Sequence, residues 1–368
     1  MSSVRNYINI ALRVVVVSVL LGLCFVECSP KVTYIKNPDT PHKKLSAYGF
    51  FGADMASLNP TQGVLPYDLN SPLFSDYSQK ARFVWMPDGT SAAYTEDHVL
   101  DFPLGAVLIK NFFYHNDDRD PSLGRKIIET RLLINRGEEW DAYGYIWDED
   151  QSDATYTIVG DIKDISWVDI DGEERHVNYF VPNKNQCKGC HSYKEKLLPI
   201  GPKVRNLNKD FAYEVGTQNQ LTHWKDIGYL DRLSLAEAPA VAKWDDTTIG
   251  IHDRAMAYLD INCGHCHNPY GAGHTSGLTL LAHSDPGLKL GIYKPSVAAG
   301  AGTGGHTYGI APGSPESSIM VYRMNTDNPG AMMPEVGRQL IHDEGVELIS
   351  DWIRQIPEED FAHLLEGL

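Results

Sequence analysis

Apolar and polar positions follow a strand-like pattern through the first half of the chain and recur at helical spacing near its end. Residues 82–85 (RFVW) read as a short strand closed by the turn Pro87-Asp88-Gly89. Residues 102–114 are rich in β-branched and aromatic side chains. Residues 127–134 and 140–147 predict a hairpin about Asn135, Arg136 and Gly137. Residues 155–159 and 165–168 continue the pattern, and Asp169 to Gly172 supplies a further turn. Short strands at this spacing predict a small sandwich or barrel over residues 29–180.

The pattern then changes. Residues 200–208 read as loop, and a helix is expected over 209–224. Residues 251–262 predict another helix, with Ala255, Tyr258, Leu259 and Asn262 on one face. Val346, Ile349, Ile353 and Ile356 recur at helical spacing. Asp343 is placed to cap that helix, Glu344 and Glu347 suit its first turn, and Pro357 stops it. The expected fold class is α+β: a β-rich domain over 29–180, a connecting segment over 181–243, and an all-α domain over 244–368.

Arg5 and Arg13 precede an apolar run over 14–26, the pattern of a signal peptide, so 1–28 reads as a leader. The run is short against the ~20 apolar residues of a membrane-spanning helix. Leu21 to Cys24 resembles a lipoprotein processing site, although Leu23 stands where a small residue is expected. Glu27 before Cys28 fits that site less well. Lipidation, plain cleavage and a retained anchor stay open, so a membrane tether is one expectation and export the broader one.

Chemistry enters at two pentapeptides, Cys187-Lys188-Gly189-Cys190-His191 and Cys263-Gly264-His265-Cys266-His267. Each is C-x-x-C-H, the pattern of covalent c-type haem attachment. Two thiols reach the two vinyl groups on one porphyrin edge, and the following histidine sits under the iron. The two motifs use four of the six cysteines. One zinc site could also draw on two C-x-x-C pairs, but zinc ribbons space them by ~15–20 residues, far less than the distance from Cys190 to Cys263. Neither motif lies in the βαβ pattern of a thioredoxin-like site. Disulfides would leave His191 and His267 unexplained. The motifs call for two haems, held by Cys187, Cys190, Cys263 and Cys266, with His191 and His267 as proximal ligands. Haem attachment of this kind takes place outside the bacterial cytoplasm and agrees with export.

Residues 244–368 then match a small cytochrome c domain, and Met333 before Pro334 is the expected sixth ligand, with Met332 the alternative. A thioether raises the reduction potential relative to a second histidine. For the first iron no methionine lies between Met86 and Met256. His223 leads; His176, Met55 and Met86 would have to reach across from the β-rich domain, and an open iron is a further alternative. His265 is expected to face solvent. Gly300 to Gly305 lacks the Lys-Ser/Thr of a phosphate-binding loop and reads as a loop near the haem. His274 and His306 are loop histidines, Asp148 to Asp150 a solvated turn, and Trp140, Tyr143, Tyr145 and Trp147 core residues, with an electron relay as the minor alternative.

The chain has 368 residues, 42% hydrophobic and 22% charged, with a net charge of −16. That balance argues against nucleic acid and against electrostatic attachment to anionic lipid. It would steer a basic redox partner. The stretches PYDLNSPLFSDY (66–77), ETRLL (129–133), PIGPK (199–203), NCGHCHN (262–268) and MPEVGR (333–338) resemble a family of bacterial di-haem c-type cytochromes of largely unassigned role. The resemblance spans about 44–356 and implies an exported, often lipid-anchored two-haem protein; it supplies no substrate and no catalytic residue. Electron transfer outside the cytoplasm, with a redox partner protein, is the expected function. A di-haem peroxidase or the electron-accepting subunit of a dehydrogenase is the alternative, and a haem-based sensor a third. The β-rich domain is expected to dock a partner or cover the first haem.

Overall fold

A computed structural model describes residues 40–366, apart from Asp97, Arg232, Leu233 and Ala298. The leader, with Cys24 and Cys28, lies outside the described residues. The first half holds nine strands: β1 (Val64–Tyr67), β2 (Gln79–Trp85), β3 (Ala92–Ala93), β4 (Val107–His115), β5 (Arg125–Asn135), β6 (Trp140–Trp147), β7 (Ala154–Thr157), β8 (Asp161–Val168) and β9 (Glu174–Val181). Six form one antiparallel sheet in the order β1-β2-β4-β5-β6-β7. The expected hairpin is the β5–β6 pair, in register from Glu129 opposite Ile146 to Asn135 opposite Trp140. The hairpin β8–β9 stands apart from this sheet.

Alternation along the strands feeds two faces. Phe83, Trp85, Ile109, Leu132, Tyr143, Tyr145 and Trp147 face a core closed by Leu45, Tyr48, Phe50, Phe51 and Met55. Val84, Leu108, Trp140 and Ala142 face the other way, against Leu197, Val204, Leu207, Leu221, Trp224 and Leu230. Ile165, Trp167, Val177 and Tyr179 of the β8–β9 hairpin pack against Phe112, Tyr114 and Ile128. The sheet is open, with β1 and β7 at its edges, and not a barrel.

Short helices follow: α1 (Lys184–His191), α2 (Val204–Leu207), α3 (Gln220–Asp226), α4 (Ile251–Asn262), α5 (Ile319–Met324), α6 (Asp343–Arg354) and α7 (Glu358–Phe361). Three expectations fail here, the first being the loop over 200–208, which holds α2. The helix over 209–224 is instead a hairpin, β12 (Asp210–Tyr213) with β13 (Gly216–Asn219), after the short pairs β10 (Ser192–Tyr193) and β11 (Lys196–Leu197); only α3 is helical. Gly216 takes φ +112°, a turn conformation that ends any helix there. A last short strand, β14 (Leu230–Asp231), pairs parallel with β3.

The expected all-α C-terminal domain is also not what forms. The described chain is β-rich, with fourteen strands, and residues 263–318 contain no α-helix. That stretch is dense in glycine, and Gly277, Gly287, Gly291, Gly300, Gly304, Gly305 and Gly313 all take positive φ. Isolated bridges such as Ile292 to Ile310 and Pro295 to Tyr308 organise it. The helices α4 and α6 do pack together, and Leu259, Ile349 and Ile353 belong to one core. Gly345 is required at their crossing, because a Cβ there would overlap the Tyr258 hydroxyl. His342, not Asp343, is the N-cap of α6, and it provides no side-chain cap.

One strap joins all three regions. Along 66–77, the Asp68 carboxylate takes Arg82 at 2.8 Å and Lys209 at 2.9 Å. The Ser71 amide donates to Asn206 Oδ1, and the Phe74 amide donates to Asn262 Oδ1 at 2.8 Å. The Asp76 carboxylate accepts the amides of Gln339 and Leu340 at 2.6 and 2.8 Å, and Tyr77 donates to Glu344 at 2.9 Å.

Candidate functional site

The two C-x-x-C-H segments reach their places by different local structures. Asn183 and Gln186 form a capping box that starts α1, which carries Cys187, Cys190 and His191 at i, i+3 and i+4. The second motif begins where α4 ends. The Cys263 amide donates to Leu259 O, and the amides of Cys266 and His267 donate back to Cys263 O at 3.1 and 2.9 Å.

The two proximal histidines are oriented alike. His191 Nδ1–H donates to the Leu198 carbonyl at 2.8 Å. His267 Nδ1 lies 2.9 Å from Ser276 Oγ, whose own proton goes to Gly273 O at 2.7 Å, so the ring nitrogen is the donor. In each ring this leaves Nε2 free to serve as a ligand atom, the arrangement that a hydrogen bond at Nδ1 imposes on metal-binding histidines. Burial pushes both imidazoles down to about 4, so both are neutral and able to ligate at pH 7.

Cys263, Cys266 and His267 line a cleft of about 540 Å³, and Met333 lines the same cleft. That volume lies within the ~300–1,000 Å³ usual for cofactor sites. Met333 is held by its backbone: its amide donates to Arg323 O at 2.9 Å and its carbonyl accepts Arg338 Nε at 3.2 Å. Arg338 is buried and also donates to Thr326 O at 2.8 Å. Met332 is buried but is not part of the lining, whereas Met320 and Met324 are. Phe74 of the strap and Arg323 complete one wall. Thiols, imidazole and thioether converging on an apolar cleft fit an attached haem.

A second cleft, of about 340 Å³, is lined by Cys190 and His191. His98, Tyr193 and His283 line it too. Cys187 points elsewhere: its thiol donates to Asn183 O at 3.6 Å and packs against the sheet core. The fit at the first motif therefore covers His191 and Cys190, with Cys187 turned toward the sheet.

His223 lines neither cleft. Its ring stacks on Tyr213 at 3.8 Å, and its Nδ1 lies 3.0 Å from Gln218 Oε1. His176 is exposed and bonded to Asp164, and Met55 and Met86 are buried in the two sheet cores. His98 and His283 are the histidines that sequence reasoning missed; no local pattern marks them, since they reach the cleft lined by His191 only through the tertiary fold. His265 is not free in solvent either: it is half-buried and lines both clefts. Val297 and Ala299, just before the 3₁₀ turn Gly300–Thr303, line the larger cleft. His274 is bonded to Gly271 O. Asp148 is paired with Lys44 at 2.6 Å rather than simply solvated. Trp140, Tyr143, Tyr145 and Trp147 are buried core residues on opposite sheet faces.

The two motifs meet. Ligand atoms of Cys190, His265 and Cys266 lie within 4.8 Å of one another. Cys190 is the member favoured as thiolate, because Cys266 and His265 hydrogen-bond to it; the same contact pushes the Cys266 thiol up. Burial alone pushes Cys263 up to about 12. Beneath the junction, Asp260 is buried and takes Lys203 and Arg205 at 3.3 and 2.9 Å, tying α4 to α2 three residues before Cys263.

No protein-family model, curated protein or solved structure matches the chain. Among the described residues no helix is long and apolar enough to cross a membrane.

Proposed function

We propose that this chain is an exported di-haem c-type electron carrier, with one haem on Cys187 and Cys190 and another on Cys263 and Cys266. The observation that carries the reading is the matched setting of His191 and His267. Each follows its C-x-x-C, each lines a cleft, and each has Nδ1 engaged so that Nε2 is presented. Bound haem supplies a one-electron Fe(II)/Fe(III) couple. The chain's residues set its potential: Met333 offers a soft sulfur beside His267, while Phe74 and the apolar lining limit water. The sequence resemblance to di-haem cytochromes supports the same reading. A basic redox protein suits the acidic surface. Electron acceptance from a periplasmic dehydrogenase stays within this reading, and peroxidase chemistry would need the first iron to keep an open position.

Absorption and EPR spectra of the full chain, matured with haem, test the proposal. Two low-spin haems, one losing its sulfur ligand in Met333→Ala, are expected. A colourless protein, or one whose colour is lost on denaturing electrophoresis, would contradict covalent attachment.

A second reading draws on the Cys190–His265–Cys266 cluster. Two thiolates and an imidazole are ligands for a soft or borderline ion such as zinc. It uses the same thiols, so the readings exclude each other in one molecule; tightly held zinc with no haem would favour it.

A further inference from the structure

The clefts share a wall. Cys190 and His265 line both of them, and Cys266 Sγ donates to Gly189 O of the other motif at 3.6 Å. Backbone zips the segments that follow the motifs: Lys194 N donates to Tyr270 O at 3.0 Å, and Tyr193 bridges Gly271. The Tyr193 and Tyr270 rings lie 5.4 Å apart, and Lys194 Nζ sits over Tyr270 at 4.4 Å. Gly271 is needed for this approach, since a Cβ there would overlap Cys266 O and stand 2.8 Å from His265 O. The buried Asp260 network fixes the same junction from below.

Resting on the two-haem reading, we propose that Cys190, His265 and Cys266 form a rigid junction that makes the two attachment sites one electronic unit. The second cysteine of each motif faces the second cysteine of the other, with ligand atoms inside 4.8 Å. Thioether sulfurs at these positions would face each other across one short through-space gap, the closest approach between the sites. One electron leaves one ferrous centre and arrives at the other ferric centre, with no other oxidant or reductant and no aromatic relay. Each centre also feels the other's charge across the wall the clefts share.

The test uses full-length protein whose intact mass confirms two added tetrapyrroles. Each midpoint is read by spectroelectrochemistry in the natural chain and in Met333→His, which lowers the potential of the second site. The first site then titrates beside an oxidised, more positive neighbour. Its midpoint should rise by at least the equivalent of a tenfold change in equilibrium constant, about 59 mV for one electron. In the natural protein, the EPR signal of the site that stays oxidised in the half-reduced sample should differ from that same site's component in the fully oxidised spectrum, a readout that stands even if the variant does not fold. Midpoints that move independently, with additive EPR signals, would overturn the junction while leaving the two-haem reading intact. A mass with fewer than two tetrapyrroles would overturn both.

Discussion

At the scale of single residues, the site is governed by what holds each donor atom. Ser276 turns His267 by accepting its Nδ1–H. Ser276→Ala should leave the haem attached and raise the second midpoint, because the imidazole becomes a weaker donor without that bond; potentiometry on the purified variant checks it. Asp260 is the other decisive side chain. Removing the carboxylate that Lys203 and Arg205 share should cost about 3–5 kcal/mol. Urea unfolding of Asp260→Ala should show the loss, and an unchanged midpoint would deny the network its structural role. The two C-x-x-C-H segments stand out in the sequence because each pattern is complete within five consecutive residues; their haem chemistry is the proposal. His98 and His283 do not, since only the fold brings residues so far apart to the cleft lined by His191.

Among elements, the strap over 66–77 does the joining. The Asp76 carboxylate takes two backbone amides of 339–340, and the strap reaches the second C-x-x-C-H segment through Phe74 and Asn262. Asp76→Ala leaves those amides without their acceptor and should destabilise by about 1–3 kcal/mol. Hydrogen exchange should quicken at Gln339 and Leu340 while the sheet amides of β4 and β5 keep their protection. Periodicity foretold α4 and the β5–β6 hairpin, where local pattern and packing agree. It failed over 209–224, where two four-residue strands are too short to set a period and Gly216 sets the turn. It failed again over 263–318, where glycine-rich backbone is shaped by distant contacts instead of a repeating apolar face. The two helices α4 and α6 were read correctly, but their all-α surroundings were inferred from the haem motif and not from any pattern in the loops.

For the whole molecule, the regions are bound by buried groups that also make stability depend on pH. His342 stacks on Phe74 at 4.1 Å and lies 2.9 Å from the Tyr258 hydroxyl. Burial pushes its imidazole from 6.5 down to about 4. A depressed histidine leaves stability intact above the unfolded value and erodes it below, as the unfolded chain takes up a proton the folded chain refuses. Between about pH 6.5 and pH 4 the loss from His342 should be on the order of 2–3 kcal/mol. Denaturation of His342→Phe should show a flatter dependence across that window. The net charge of −16 should make reduction by a basic partner slow as salt rises. Every functional statement depends on haem bonded to four particular sulfurs. Peptide mass spectrometry of matured protein tests this most directly: the account predicts one tetrapyrrole on the peptide carrying Cys187 and Cys190 and one on the peptide carrying Cys263 and Cys266. Unmodified thiols, a disulfide or zinc at those cysteines would contradict it.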